Sequence, residues 1–146
     1  MAFKRIALAA VIGAAIIWLA GPVTAQTPEP FKARLSWAPI SAVERASVTG
    51  MGSVSAVLAG RRLSVTGSFE GLQTPATVGR VHRGIAKGVR GPSVFDLTIT
   101  KGTSGSITGA FDLTPEQVEG LRAGRFYIQI DSEKTSEGNL WGWISR

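Results

Sequence analysis

The fold of this chain is decided by residues 113–144, which read LTPEQVEGLRAGRFYIQIDSEKTSEGNLWGWI. Thr114 is a good N-cap, Pro115 suits the first helical position, and Gln117 completes a capping box. Gly124 is placed to take the left-handed conformation that ends many helices. The stretch therefore predicts one short helix, followed by two strands.

Upstream of this helix, and again after it, apolar and polar residues alternate with a period of two. Such alternation is typical of strands that turn one face to a core and the other to water. Turn-rich segments separate the runs, and short strands at this spacing favour an antiparallel sandwich. The sequence thus predicts an all-β domain with one short helix. The residues expected to face its core are Phe31, Ala33, Leu35, Trp37, Leu63, Val65, Gly67, Phe69, Phe95, Leu97, Ile99, Ile107, Gly109, Phe111, Leu113, Phe126, Ile128 and Ile130.

The N-terminal residues have the pattern of a secretory signal. Lys4 and Arg5 form a basic start, an apolar run covers residues 6–20, and a Gly-Pro break precedes small residues that end at Ala25. The apolar run is short for a membrane span, which needs about 20 residues. Cleavage after Ala25 is therefore favoured, and an uncleaved anchor is the alternative.

This pattern divides the chain into a signal peptide over 1–25, a linker over 26–30 and a β domain over 31–146. The linker holds two prolines, which disfavour a helix there. We expect the protein to be exported to the periplasm or to the cell exterior. The alanine-rich signal and the absence of Cys suit a bacterial source, and without Cys the chain forms no disulfide.

The chain is basic, with a formal net charge of +6 at pH 7. Of its 16 basic residues, Lys4 and Arg5 lie in the signal, which leaves 14 against 10 acidic residues. This excess favours acidic surfaces, but it is too small to indicate nucleic acid, and export also argues against a nucleic-acid partner. We expect the partner to be an unknown protein or an acidic envelope component. Contact with the membrane is expected only through the signal segment, if that segment stays uncleaved.

The residues of the C-terminal stretch resemble those of the chordin-type (CHRD) domain family. The resemblance covers most of the chain, from about Phe31 to Ile144. It implies an immunoglobulin-like or superoxide-dismutase-like β-sandwich in a secreted or envelope protein, with no established catalytic residues. The positions that carry it are Leu113-Thr-Pro-Glu-Gln-Val118, Leu121, Gly124, Tyr127-Ile-Gln-Ile130, Glu137-Gly138, Leu140, Gly142 and Ile144, with Val81-His82, Gly84 and Gly91-Pro92 upstream.

The chain departs from this family at positions where the family typically carries His. Arg80 and Asp131 stand at two of them, and His82 is the single His of the chain. We therefore predict a structural ion pair between Arg80 and Asp131. A transition metal needs three or four His, Cys or carboxylate ligands, and Arg80 would repel a cation, so neither a metal nor another cofactor is expected.

No arrangement of residues in the sequence indicates catalysis. The Ser residues lie in Gly-, Ser- and Thr-rich strands without a nucleophile elbow. Glu116, Glu119, Glu133 and Glu137 lie at the helix start and in a loop, where carboxylates favour the helix dipole or are simply solvated. We therefore expect a non-catalytic domain that binds a partner. The alternative is a small-molecule or metal-handling domain, inherited from the His-bearing face of the family.

Two surface features are candidates for contact with a partner. The first is a tryptophan pair two residues apart, whose members share one face of a strand. The second is the glycine-rich basic segment over residues 79–91, which a solvated loop also explains. We predict that the partner surface consists of Trp141, Trp143, Tyr127, Arg83, Lys87 and Arg90. The alternative for the tryptophans is that a loop or the N-terminal segment covers them.

Overall fold

The structure is a computed structural model that describes residues 26–38 and 45–146. The predicted signal peptide lies outside the described residues. The strand β1 begins at Glu29, inside the segment predicted as a linker. In chain order the elements are β1 (Glu29–Trp37), a 3-10 turn (Arg45–Ser47), β2 (Met51–Ala59), β3 (Arg62–Glu70), β4 (Ala76–Arg83), β5 (Ser93–Ile99), β6 (Gly105–Asp112), α1 (Pro115–Arg122), β7 (Phe126–Ser132) and β8 (Thr135–Trp143).

The strands of the described chain form a closed antiparallel barrel in the order β1-β2-β3-β6-β5-β4-β7-β8, with β8 paired back to β1. The predicted all-β fold with one short helix is confirmed. The predicted two-sheet sandwich differs from the structure, because β1 and β5 each belong to both halves. The first part of β1 pairs with β2, whereas Ser36 and Trp37 pair with β8. Likewise, β5 pairs with β4 up to Leu97 and with β6 at Thr98 and Ile99.

The inward positions of the strands form one continuous core, as the alternation predicts for most of them. Trp37 is the exception: it was predicted to face the core, but it is 62% exposed. It is the last residue of β1, and its ring lines a shallow surface pocket with Met51 and Glu70. The alternation rule therefore fails where the strand leaves the core. The least exposed core side chains include Phe31, Leu35, Leu58, Leu63, Ile107, Leu113, Phe126, Ile128, Ile130 and Leu140.

The helix α1 has the termini that the sequence predicts. The amide of Gln117 donates to Thr114 Oγ1 at 3.2 Å, and the amide of Thr114 donates to Gln117 Oε1 at 2.9 Å. Gly124 follows the helix with a φ of 70°, which a residue with a side chain rarely adopts. Val118 and Leu121 are buried in the core cluster, so the helix closes one end of the barrel.

One acidic residue connects the start of the barrel to the helix and to the C-terminus. Glu29 in β1 forms ion pairs with Arg122 of α1 and with Arg146. The hydrogen bond from Arg122 is the main reason that the pKa of Glu29 lies below its usual range. The strands, the helix and the core cluster of the described chain all lie within residues 29–144. Among the described residues, no helix combines the length and the apolar character that crossing a bilayer requires.

Candidate functional site

The candidate site lies on the outer face of β4, β7 and β8. In one row across these strands, His82 pairs with Tyr127, which pairs with Trp143. In the next row, Arg80 pairs with Gln129, which pairs with Trp141. Neighbouring side chains on one sheet face are close enough to interact, so the strand register itself assembles the predicted residues.

Tyr127 is the centre of this face. Its ring stacks on His82 with centroids 4.8 Å apart, and it lies 4.7 Å from Trp143 and 5.9 Å from Trp141. The two tryptophan rings meet edge to face at 6.0 Å. Tyr127 is buried, whereas Trp141 and Trp143 are half-buried. We call His82, Tyr127, Trp141 and Trp143 the aromatic face. Its two tryptophans are half-buried and pack on Tyr127, which in turn stacks on His82.

The basic segment folds against the aromatic face through Gly91. The Tyr127 hydroxyl donates to the Gly91 carbonyl at 3.0 Å and accepts from the Gly91 amide at 3.3 Å. His82 Nδ1 lies 3.0 Å from the same carbonyl. A side chain at Gly91 would collide with the backbone of Arg83, so glycine is required for this close approach. The loop over residues 84–91 is therefore held at its base.

Arg90 joins the loop to the tryptophan pair. Its guanidinium carbon lies 4.8 Å from the centre of the Trp141 ring, which is a cation–π contact. The side chains of Arg83 and Lys87 point elsewhere. Arg83 Nη2 donates to the carbonyl of Glu116 in α1 at 3.4 Å, and Lys87 packs beside Gly124. Of the three predicted cations, the structure thus brings only Arg90 to the tryptophans.

Arg80 and Asp131 lie within ion-pair distance on the same face. Arg80 Nη1 is 3.4 Å from Asp131 Oδ2, and Arg80 Nε is 3.4 Å from Asp96 Oδ1. The Asp131 side chain is only 8% exposed, and Gln129 Nε2 donates to its other oxygen at 2.9 Å. Burial raises the pKa of Asp131 above its usual value, while Gln129, Arg80 and His82 act in the opposite direction.

The hydrogen bond of His82 determines which ring nitrogen carries the proton when the ring is neutral. Because the Gly91 carbonyl can only accept, Nδ1 must donate, and Nε2 of the neutral ring is then an acceptor. Nε2 is buried and has no hydrogen-bond partner among the described residues. Within residues 26–38 and 45–146, no cluster of three or more His, Asp or Glu side chains is arranged to hold a metal ion.

Sequence reasoning did not identify five exposed large apolar residues of the described chain, which are Trp37, Met51, Val57, Ile85 and Val89. Ile85 and Val89, in the middle of the basic segment, are 82% and 42% exposed. Trp37 lies at the end of β1, where it pairs with Leu140 of β8. The pattern Arg-Gly-Ile-Ala-Lys-Gly-Val-Arg over residues 83–90 could have indicated an exposed loop with mixed apolar and basic character, since no periodicity places its apolar residues on one face.

Comparison with known proteins gives one match. The model of the CHRD domain family matches residues 31–144, which are most of the chain. No curated protein and no solved structure matches it.

Proposed function

We propose that this chain, which belongs to the CHRD domain family, is an exported, non-catalytic binding domain. One observation carries the proposal: Trp141 and Trp143 lie half-exposed on a buried aromatic support, with Arg90 fixed against them. The N-terminal signal pattern and the family membership support export. The finer description of the fold, an immunoglobulin-like or superoxide-dismutase-like arrangement of the strands, is likewise a proposal.

The aromatic face is suited to binding because its side chains are already ordered. Trp and Arg are enriched among the residues that dominate binding energy in protein interfaces. Here each tryptophan ring contacts the other and the buried Tyr127, so few rotamers are lost when a partner arrives. A surface that is ordered before binding gains affinity because the entropic cost of association is smaller.

The partner that fits this surface combines a flat or apolar group with negative charge. The tryptophan rings offer apolar area, and the guanidinium of Arg90 offers a positive charge at their edge. We propose that the partner, an unknown protein or an acidic envelope component, presents both kinds of group to this surface.

The test compares two tryptophan sites on the same barrel. The protein is recovered from its own envelope with whatever stays bound, and the captured partner is then titrated by tryptophan fluorescence. We expect Trp141→Ala with Trp143→Ala to weaken binding at least tenfold, as the loss of central aromatic contacts typically does. The matched control is Trp37→Ala, which removes a more exposed ring that lies at the end of β1 and is not one of the rings in contact with Tyr127. Equal binding by both variants would contradict the proposal.

A second candidate function, a small-molecule or metal-handling domain, has one observation in its favour. His82 Nε2 is buried without a partner among the described residues, and a ligand donor or a cation would satisfy it. Metal analysis of the purified protein and thermal shift with divalent cations test this candidate. A metal content that His82→Gln removes would favour it over the interaction domain, whereas a blank result is expected from the first proposal.

A further inference from the structure

We propose that one end of the barrel docks on an anionic lipid surface. This end, which we call the basic end, contains α1, the loop over residues 84–91, the turn between β2 and β3, and the C-terminus. The inference goes beyond the proposed function, because it uses the end of the barrel rather than the aromatic face. Its test leaves Trp141 and Trp143 unchanged, so either proposal can fail without the other.

The tip of the loop carries exposed aliphatic side chains between cations. All residues from Ile85 to Arg90 are exposed, and they read Ile-Ala-Lys-Gly-Val-Arg. Ile85 is 82% exposed, which is the largest value among the exposed large hydrophobic residues of the described chain. Single exposed apolar residues are common on protein surfaces. Here Ile85 and Val89 stand in one short loop with Lys87 between them and with no acidic residue.

The loop presents these residues on a fixed base. The amide of Gly84 donates to the carbonyl of Arg125 at 2.8 Å, and the amide of Arg83 donates to the carbonyl of Pro92 at 3.1 Å. At the other side, Gly91 is bound by Tyr127. Inside the loop, the amide of Val89 donates to the carbonyl of Ala86 at 3.2 Å. These hydrogen bonds hold both ends of the loop on the barrel, and Ile85 is exposed on the loop between them.

Positive charge concentrates at the same end. Three of the acidic residues at the basic end, Glu29, Asp112 and Glu119, form ion pairs with arginines. At the opposite end, the described residues are balanced, with Arg45, Lys101 and Lys134 against Glu70, Glu133 and Glu137. The basic end carries Arg61, Arg62, Arg83, Lys87, Arg90, Arg122, Arg125 and Arg146 against Glu29, Asp112, Glu116 and Glu119.

The described chain also enters the barrel at the basic end. Gln26 lies beside Gly60 in the β2–β3 turn, and β1 starts three residues later at Glu29. The predicted signal segment ends at Ala25. A chain emerging from that apolar segment therefore reaches the barrel at the end that carries Ile85 and Val89, both before cleavage and if the segment is retained.

These observations together favour lipid over a soluble polyanion. Cations near an anionic bilayer are attracted to its phosphates, and aliphatic side chains enter the boundary between headgroups and acyl chains. A soluble polyanion would use the cations but would give no role to Ile85 and Val89. The lipid surface is the occupant that uses both.

The first experiment measures binding of the purified protein to vesicles by co-sedimentation. We expect binding to phosphatidylglycerol-containing vesicles that weakens with salt, and little binding to phosphatidylcholine alone. Ile85→Ser with Lys87→Gln should lower the partition coefficient at least tenfold, since one cation alone contributes about fivefold. The matched control, Met51→Ser with Lys101→Gln, makes the same kinds of change at the opposite end and should stay within about twofold.

The second experiment locates the contact. Because the chain contains no Cys, Ile85→Cys and Met51→Cys each give a single labelling site for an environment-sensitive fluorophore. We expect a blue shift with anionic vesicles for the label at position 85 and none at position 51. No binding to anionic vesicles at low salt, or equal shifts at both positions, would overturn the proposal. Binding to soluble polyphosphate that is as strong as binding to vesicles, and independent of Ile85, would overturn it as well.

Discussion

The two sides of the barrel share one interior but carry opposite kinds of outer surface. In the middle of β2, β3 and β6, most outward residues are short hydroxyl side chains in register, and these are exposed. We call them the hydroxyl face: Ser53, Ser68 and Ser106 in one row, Ser55, Thr66 and Thr108 in the next, and Thr98 of β5 beside Thr108. On β4, β7 and β8, large rings and charged groups cover one another.

This difference shows that the same alternation can build two unrelated outer surfaces. The inward side chains on both sides pack together in the interior of the barrel. The side chains of the hydroxyl face are exposed, and Ser106 Oγ lies 3.3 Å from Thr100 Oγ1. Substitution at the other positions of this face should therefore cost little stability. The outward positions on the aromatic face contact each other, so they should contribute both to stability and to binding.

The largest effect that would test this comparison is the loss of the central ring. We expect Tyr127→Ala to lower the free energy of unfolding by about 3–5 kcal/mol, because it empties a buried site under three other rings. Thr66→Ala, in the middle of β3 on the hydroxyl face, should change it by less than about 0.5 kcal/mol. Denaturant unfolding measures both, and similar losses would erase the distinction between the two faces.

The next effect separates a buried from an exposed ion pair. Arg62 and Asp112 are 3.0 Å apart in solvent, whereas Arg80 and Asp131 are 3.4 Å apart with the carboxylate buried. We expect Arg80→Ala to lower the free energy of unfolding by about 1–3 kcal/mol, because the buried carboxylate of Asp131 loses a positively charged hydrogen-bond donor. Arg62→Ala should cost at most about 1 kcal/mol despite the shorter distance. If Arg62→Ala lowered the free energy of unfolding more than Arg80→Ala, the distance between the charged groups, rather than burial of the carboxylate, would determine the strength of the ion pair.

A smaller effect isolates the contact between the aromatic face and the basic loop. Tyr127→Phe keeps the ring but removes the two hydrogen bonds to Gly91. We expect the free energy of unfolding to fall by about 1 kcal/mol and hydrogen exchange at the Gly91 amide to become faster. Thr108→Val, which removes a hydroxyl from the hydroxyl face, is the control. An unchanged exchange rate in Tyr127→Phe would show that the loop is held by other contacts.

The smallest effect is a pH dependence of stability that comes from Asp131, on the same outer strands as the aromatic face. Because burial raises the pKa of Asp131 in the fold, the folded state binds this proton more tightly than the unfolded chain does. The resulting stabilisation is full below the usual carboxyl pKa and is lost as pH rises through the raised value.

Asp131→Asn should therefore remove this slope, whereas Asp112→Asn, on an exposed carboxyl, should keep it. Glu29, whose pKa is lowered, gives a slope of the opposite sign that both variants retain. Unfolding free energies measured from acidic to neutral pH give the comparison. A slope that persists in Asp131→Asn would assign the effect to another group.

Much of the barrel was predictable because local patterns coincide with its elements. The capping box around Thr114 and Gln117 predicted α1 correctly, since both hydrogen bonds are local. The alternation predicted most core residues. It did not single out β2, which is rich in small residues, and it could not predict closure of the ring, since that depends on which partners β1 and β5 take at each end.

The candidate site was predictable only in part, for a similar reason. The shared strand face of Trp141 and Trp143 follows from their spacing. That Arg90 reaches Trp141 while Arg83 and Lys87 turn to the helix depends on the path of a glycine-rich loop, which has no periodicity. The exposure of Ile85 likewise follows from the base of that loop, where Tyr127 binds Gly91.

Closure of the barrel restricts how any partner can bind. Throughout the described chain, each strand has a neighbour on both sides. Two of these pairings are short: β1 pairs with β8 at Ser36 and Trp37, and β5 pairs with β6 at Thr98 and Ile99. An added strand from a partner, or from a second copy, therefore has only the short unpaired stretches beside these two pairings to use, unlike the open edge of many sheets. We expect recognition to use mainly side chains and loops, and closure limits the strand-by-strand growth that produces fibrils.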